Sequence, residues 1–199
     1  IIISPGVKIS GKNRHPIVKF AKKHNVELQN EIELYFEQKP KSIVIGITGT
    51  NGKSTLASLI SHILSENKIK NIICGNFGNP TCLVNPFEKN VVIIELSSYQ
   101  LLSIPSLQLD FGVITNISND HLDYHGNFEA YLNAKLRLID SIKKNGYLKI
   151  FTNINAQIKP HPKSAPARVD WTRCETPIAA PAKSNPGPSL EINLIIEYH

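Results

Sequence analysis

The chain of 199 residues contains no methionine, one tryptophan and three cysteines. Cys74, Cys82 and Cys174 show no CxxC spacing and no matched histidines, which argues against a disulfide framework or a zinc site. Free thiols in a reducing cytosol fit better, so the expected location is cytoplasmic. No apolar run approaches the ~20 residues that a membrane span needs. The first residues, Ile1-Ile2-Ile3-Ser4-Pro5-Gly6, carry no basic segment and read as an apolar strand under way rather than a signal peptide. Acidic residues are the minority, 16 against 22 Lys and Arg, for a net charge of +6. That balance suits anionic partners. The lysines are scattered over helices rather than clustered with aromatics, which argues against nucleic acid. A nucleotide or sugar-nucleotide needs no more positive charge than this.

What the chain does have is alternation. Near-continuous apolar strands are expected at 43–47, 72–74, 91–95 and 111–115, with helices at about 55–66 and 127–143 between or after them. Such alternation indicates an α/β fold, a parallel sheet with helices on both faces. Ahead of it, residues 1–38 read as strand, turn, helix from His15 to His24, short strand and a short helix from Glu31. Lys39-Pro40-Lys41 marks a plausible boundary. From residue 151 the character changes: seven of the thirteen prolines and a single glycine lie there. Those prolines exclude a long helix and disfavour a central strand. The tail is expected to be mostly irregular, with strand character only at 192–198.

The most informative stretch is Thr48-Gly49-Thr50-Asn51-Gly52-Lys53-Ser54-Thr55. A β-branched strand feeds a glycine-containing turn that opens a helix, the layout of a phosphate-binding loop. Backbone N–H groups can turn inward around phosphate oxygens, and the helix N-terminus adds its positive dipole end. Lys53 is expected to reach the outer phosphates and the Ser54 hydroxyl to meet a magnesium ion. The loop departs from the strict pattern because Ile47 stands where its first glycine would be.

Ligands of parallel sheets bind off the strand C-termini, and three more polar segments are expected at that edge. Gly75-Asn76 follows one strand. Glu95 ends another and leads into Leu96-Ser97-Ser98-Tyr99-Gln100. A carboxylate there is placed to hold magnesium, directly or through water. Asn116 to His125 follows a third strand and puts two carboxylates and two histidines within six residues, a set suited to metal or phosphate. Lys135 and Arg137, by composition alone, are cations on an amphipathic helix.

Taken together, the blocks 48–55, 75–78, 95–101 and 115–135 resemble the Mur ligases, the ATP-dependent amide-forming enzymes of peptidoglycan precursor synthesis. The Glu95 to Leu101 block is most similar to the branch that joins D-glutamate to UDP-N-acetylmuramoyl-L-alanine. The resemblance implies a P-loop ATPase-like central domain, here truncated. Residues 1–38 would be the remnant of an N-terminal UDP-binding Rossmann-like domain, 39–150 part of the central domain, and 151–199 an atypical tail. It implies ATP on Gly49, Thr50, Asn51, Gly52, Lys53, Ser54 and Thr55, and two magnesium ions. Ser54 and Glu95 would hold one ion; His121 and a carbamylated Lys135 would hold the other. Lys53, His121 and Lys135 would be catalytic, and Asn76, Ser97, Gln100 and His121 would contact the muramoyl-alanine substrate. The alternatives are a non-catalytic remnant, or the ATP-binding half of a ligase completed by a second chain, which would dock at a half-exposed sheet edge after residue 150.

Overall fold

A computed structural model describes residues 1–9, 14–152 and 192–197. Its centre is a six-stranded sheet of order β2-β3-β1-β4-β5-β6. The strands are β1 (Ile43–Thr48), β2 (Asn71–Gly75), β3 (Val91–Glu95), β4 (Leu109–Ile114), β5 (Ile142–Thr152) and β6 (Ile192–Glu197). The first five run parallel, and β6 pairs antiparallel with β5. All five residues of β3 are buried. A Val-Val-Ile-Ile run has that fate only in a strand covered on both faces.

The two faces are covered by different helices. On one, α3 (Lys53–Glu66) packs Leu56, Ala57, Ile60 and Leu64 against Ile45, Ile47, Ile73 and Ile93. On the other lie α2 (Glu31–Glu37), α4 (Ser98–Leu101) and α6 (Phe128–Asp140), which bring Ile32, Tyr35, Phe36, Leu101, Tyr131 and Leu138 into the larger core. The remaining helices, α1 (Pro16–His24) and α5 (Leu122–His125), lie outside these clusters.

Local chemistry sets the helix ends. Pro16 opens α1, where its missing N–H costs nothing, and Asn25 closes it in the left-handed region. Asn30, Ser97 and Asn127 each cap the N-terminus of the helix that follows with a side-chain oxygen. The start of α3 is different: Gly52 stands there at φ 80°, with no side-chain cap.

Helices expected at 15–24, 31–36, 55–66 and 127–143 are present, the last ending three residues early at Asp140. Three elements differ from expectation. Strand β5 was not foreseen, because its Lys-Lys-Asn-Gly segment interrupts the apolar run. Pairing with β4 shifts register between Leu109 and Phe111, which accommodates that segment. The edge expected to be half-exposed after residue 150 is paired with β6. Ile1-Ile2-Ile3 contributes only a single bridge, Ile2 to Gln29, and only Ile3 of the three is buried. The irregular tail expected at 153–191 lies outside the described residues.

Helix α2 is tied to the sheet by more than apolar packing. The Asn30 Oδ1 accepts from Ile32 and Glu33 N–H at 2.9 and 3.0 Å. Its Nδ2 donates to Ser103 Oγ at 2.7 Å and, at longer range, to the carbonyls of Gln100 and Ser103. Glu33 accepts from Ser106 N–H at 3.1 Å. One fully buried amide therefore caps α2 and anchors the segment after α4. Losing a cap costs about 1 kcal/mol, and each lost buried hydrogen bond costs about 1 kcal/mol more. Asn30→Ala is therefore expected to destabilise the chain by about 2 kcal/mol in urea unfolding. A loss below about 0.5 kcal/mol, the scale of an ordinary surface change, would refute the anchoring role.

Candidate active site at the strand C-termini

The sheet order puts the C-terminus of β3 between those of β1 and β2. Ile47, Glu95 and Gly75 stand side by side across the three strands. The residues following each strand therefore meet at Glu95. Its carboxylate, 2% exposed, accepts from Ser54 Oγ at 2.6 Å on one oxygen and from Asn76 Nδ2 at 2.8 Å on the other. Gly75 makes the second contact possible. At φ 93° the chain doubles back so that Asn76 N–H also donates to Glu95 O, and a Cβ on Gly75 would sit 2.5 Å from that oxygen.

The phosphate-binding loop is braced from its other side by the segment after β4. Asn116 pairs with Asn51 like a backbone strand: its Oδ1 accepts from Asn51 N–H and its Nδ2 donates to Asn51 O, both at 2.9 Å. Thr50 N–H donates to Asn116 O, and Thr115 Oγ1 donates to Asn51 O. Gly49, at φ 151°, is pressed against this segment, and a Cβ there would overlap Thr115 Oγ1 at 1.9 Å. The loop is thus braced from outside by the segment after β4, which also bonds the Thr50 hydroxyl at Ser118. The uncapped first turn of α3, with Ser54 and Thr55 in it, presents N–H groups and a dipole end to an anion.

Two ammonium groups flank the loop. Lys53 Nζ donates to Thr50 O at 3.0 Å. Lys135, on α6 and 2% exposed, donates to Gly49 O at 2.8 Å and lies 4.8 Å over the Tyr131 ring. Burial pushes the Lys135 ammonium down to about 7, and the charge of Lys53 adds to the effect against opposition from Asp120 and Glu95. Tyr131, fully buried, exchanges a 2.9 Å hydrogen bond with Thr50 Oγ1 and so ties α6 to the loop.

The site residues expected from sequence fall into two groups. Lys53, Ser54, Asn76, Glu95 and Lys135 come together with the loop 49–55. His121 lies at the rim, half-exposed, at φ 51°, with Asp120 3.4 Å from its Nε2 and the Tyr99 ring 5.0 Å away. Ser97 and Gln100 are occupied with each other. Gln100 Oε1 accepts from Ser97 N–H at 2.9 Å and from Ser97 Oγ at 2.8 Å, and Gln100 is 1% exposed. They form a capping box that shapes α4. The Asn116–His125 segment does not act as one cluster: among the described residues, no three His, Cys, Asp or Glu side chains gather in a metal-binding group. Sequence reasoning missed Tyr131 and gave Asn116 no role. Tyr131 is one helical turn before Lys135, so its place on the same face was legible.

Residues 47–171 match the family described as "Mur ligase middle domain". The chain belongs to the Mur ligase family. The match runs past residue 150, the expected end of the central domain. Among curated relatives, the chain is 38% identical over 179 residues to the UDP-N-acetylmuramoylalanine–D-glutamate ligase of Rickettsia bellii, covering 85% of this chain and 38% of that protein. It is 43% identical over 145 residues to the enzyme of the same name from Zymomonas mobilis, covering 69% and 32%. The chain thus spans about a third of the length of these relatives. Among solved structures, it superposes on the UDP-N-acetylmuramate:L-alanyl-gamma-D-glutamyl-meso-diaminopimelate ligase from Neisseria meningitides with a TM-score of 0.50 at 19% identity, covering 74% of this chain and 50% of that one. That likeness supports the Mur ligase fold of the sheet. No helix among the described residues is long and apolar enough to cross a membrane.

The buried Lys135 links the site to stability. Its ammonium has an ordinary value of 10.5 when the chain is unfolded and about 7 when folded. Between these values the unfolded chain binds the extra proton, so stability rises with pH and the destabilisation is full below pH 7. Lys135→Met is therefore expected to remove a rise of up to about 5 kcal/mol between pH 7 and 10.5. Urea unfolding of both chains across that range checks it; parallel profiles would refute it.

Proposed function

We propose that this chain carries the ATP-handling core of a cytoplasmic ligase that joins D-glutamate to UDP-N-acetylmuramoyl-L-alanine in peptidoglycan precursor synthesis. The observation that carries the reading is the convergence of Lys53, Ser54, Glu95, Asn76 and Lys135 on one phosphate loop. The names of the curated relatives support the choice of substrates. Because the chain spans about a third of their length, the complete reaction is assigned to the protein as a whole.

The chemistry is acyl activation. A carboxylate oxygen of the muramoyl-alanine attacks the γ-phosphorus of ATP, and ADP leaves. The D-glutamate amine attacks the acyl phosphate, and the tetrahedral intermediate collapses to amide and phosphate. Lys53 stabilises the charge on the transferring phosphoryl group, and the amides at the start of α3 hold the phosphates in line. Asn76, Ser97, Gln100 and His121 are assigned to the sugar-peptide side, with Ser97 and Gln100 shaping that wall through their mutual hydrogen bonds.

The donor set suits magnesium. Glu95 is a buried carboxylate whose neighbours are a hydroxyl and an amide, and among the described residues it makes no ion pair. Magnesium takes one or two carboxylates and keeps water and phosphate oxygens for its other positions, so Ser54 and Glu95 would hold one ion. Bound there, it would neutralise phosphate charge. Lys135 and His121 are assigned to a second ion. A lysine held near 7 has a large neutral fraction at neutral pH, and a neutral amine can add carbon dioxide. The carbamate is an anionic oxygen ligand, which an ammonium is not.

The packing of α2 into the sheet core supports placing the boundary between a UDP-binding N-terminal unit and the ATP-binding unit before Asn30 rather than near residue 38. The short span relative to the relatives also favours a second reading, an ATP-binding part completed by a second chain. Calorimetry with magnesium-ATP tests the common core of both. Binding is expected for the chain, with at least about a tenfold loss in Lys53→Ala and in Glu95→Gln, the scale of one lost charged hydrogen bond. A folded chain that binds no magnesium-ATP would overturn the proposal.

A further inference from the structure

One group in the site is unaccounted for by these roles. His125, the last residue of α5, points back across the site. Its Nε2 lies 3.0 Å from Ser98 Oγ, and Ser98 is 1% exposed at the start of α4. Its ring stacks on Tyr99, with centroids 5.6 Å apart and planes 11° from parallel. Its edge meets Tyr131 at 5.4 Å. Through these contacts it touches two walls of the site. Ser98 and Tyr99 directly follow Ser97, which is two residues after Glu95. Tyr131 bonds the phosphate loop at Thr50 and underlies Lys135.

The Tyr99 ring is shared. His125 stacks on it, Tyr124 meets it edge-on at 4.4 Å, and His121 lies against it at 5.0 Å. His121 is also met by Asp120, 3.4 Å from its Nε2, and edge-on by the Tyr131 ring at 6.1 Å. Half its side chain is exposed, and its backbone sits in the left-handed region that non-glycine residues seldom adopt. A rim imidazole of this kind is oriented by whatever packs on it, and of the two rings that do so here Tyr99 is the nearer.

We propose that His125 is a positioning residue: by bonding Ser98 and stacking on Tyr99 it holds the α4 turn, and through Tyr99 it orients His121. No atom of His125 needs to reach the reacting groups. A hydrogen bond fixes the turn, and a flat ring fixes the angle of Tyr99. An alanine supplies neither, a glutamine supplies the bond alone, and a phenylalanine supplies the stack alone. The importance of this arrangement for catalysis rests on the function proposed above, since it is there that His121 acquires its task.

The test is nuclear magnetic resonance on the full chain, reading the Overhauser contact between the Tyr99 and His121 rings. His125→Ala is expected to abolish that contact while the amide signals of β1 and β3 stay dispersed. Ser98→Ala, which removes one oxygen and leaves the rings in place, is expected to weaken it by at least half. His125→Gln and His125→Phe, each supplying one of the two contacts, should each recover only part of it, and the Ser98→Ala/His125→Ala double variant should go no further than His125→Ala. An undiminished contact in folded His125→Ala, or in Ser98→Ala should the first variant fail to fold, would overturn the proposal. So would full recovery by phenylalanine. Magnesium-ATP calorimetry on the unmodified chain separates the two ideas: absent binding removes the proposed function, whereas the ring contact decides the role of His125.

Discussion

The site depends on a buried carboxylate with a neighbour on either side. Taking a charge out of water is costly unless polar groups replace the water, and Glu95 receives one donor from each flanking strand's following segment. This works because β3 lies between β1 and β2 although it follows both in sequence. Ser54 comes from the loop after β1 and Asn76 from the turn after β2. Reordering the strands would separate the donors. The crossover topology, the glycine at 75 and the position of the phosphate loop are therefore parts of one constraint. That constraint gathers the two Glu95 carboxylate oxygens and Ser54 Oγ at the C-terminal edge of the sheet.

The positive side of the site is organised by a different principle. Lys53 and Lys135 each rest an ammonium on a loop carbonyl, Thr50 O and Gly49 O. Lys53 is on the helix that the loop opens; Lys135 comes from α6 on the opposite face of the sheet. Burial lowers the proton affinity of Lys135, and the nearby charge of Lys53 lowers it further. The pair differs in kind: Lys53 is a half-buried cation, and Lys135 a buried amine whose charge is easily surrendered.

Much of this was legible in sequence where local rules act. The phosphate loop announced itself because strand, glycine turn and Lys-Ser-Thr are consecutive. Glu95 and Asn76 could be singled out because each ends or follows an apolar strand, and strand ends of a parallel sheet share one edge. β5 was not legible: Lys143, Lys144, Asn145 and Gly146 break the apolar pattern, and only the register shift against β4 makes the strand possible. Nor was the inward turn of Gln100. The Glu95-Leu-Ser-Ser-Tyr-Gln block drew attention to its polar residues as ligand contacts, yet the capping-box spacing of Ser97 and Gln100 was equally visible and describes what their side chains do. The Tyr99–His125–Tyr131 contacts were beyond reach, because they join α4, α5 and α6, which no periodicity relates.

The N-terminal segment engages the same machinery from outside. Lys8 Nζ donates to Asp123 O and lies over the Tyr124 ring, and the Tyr124 hydroxyl donates to Val7 O. Asn30 and Glu33 hold the carbonyls and amides that follow α4. One stretch before the sheet therefore grips both α5, which carries His125 and follows His121, and the end of the turn that follows Glu95. Residues that move with this stretch would move the rim of the site, while the phosphate loop, braced by Asn116 and Thr115 from β4, would stay. The physical division is between a loop side, braced by the segment that follows β4, and a rim side, built on short helices, aromatic stacking and contacts to the N-terminal segment.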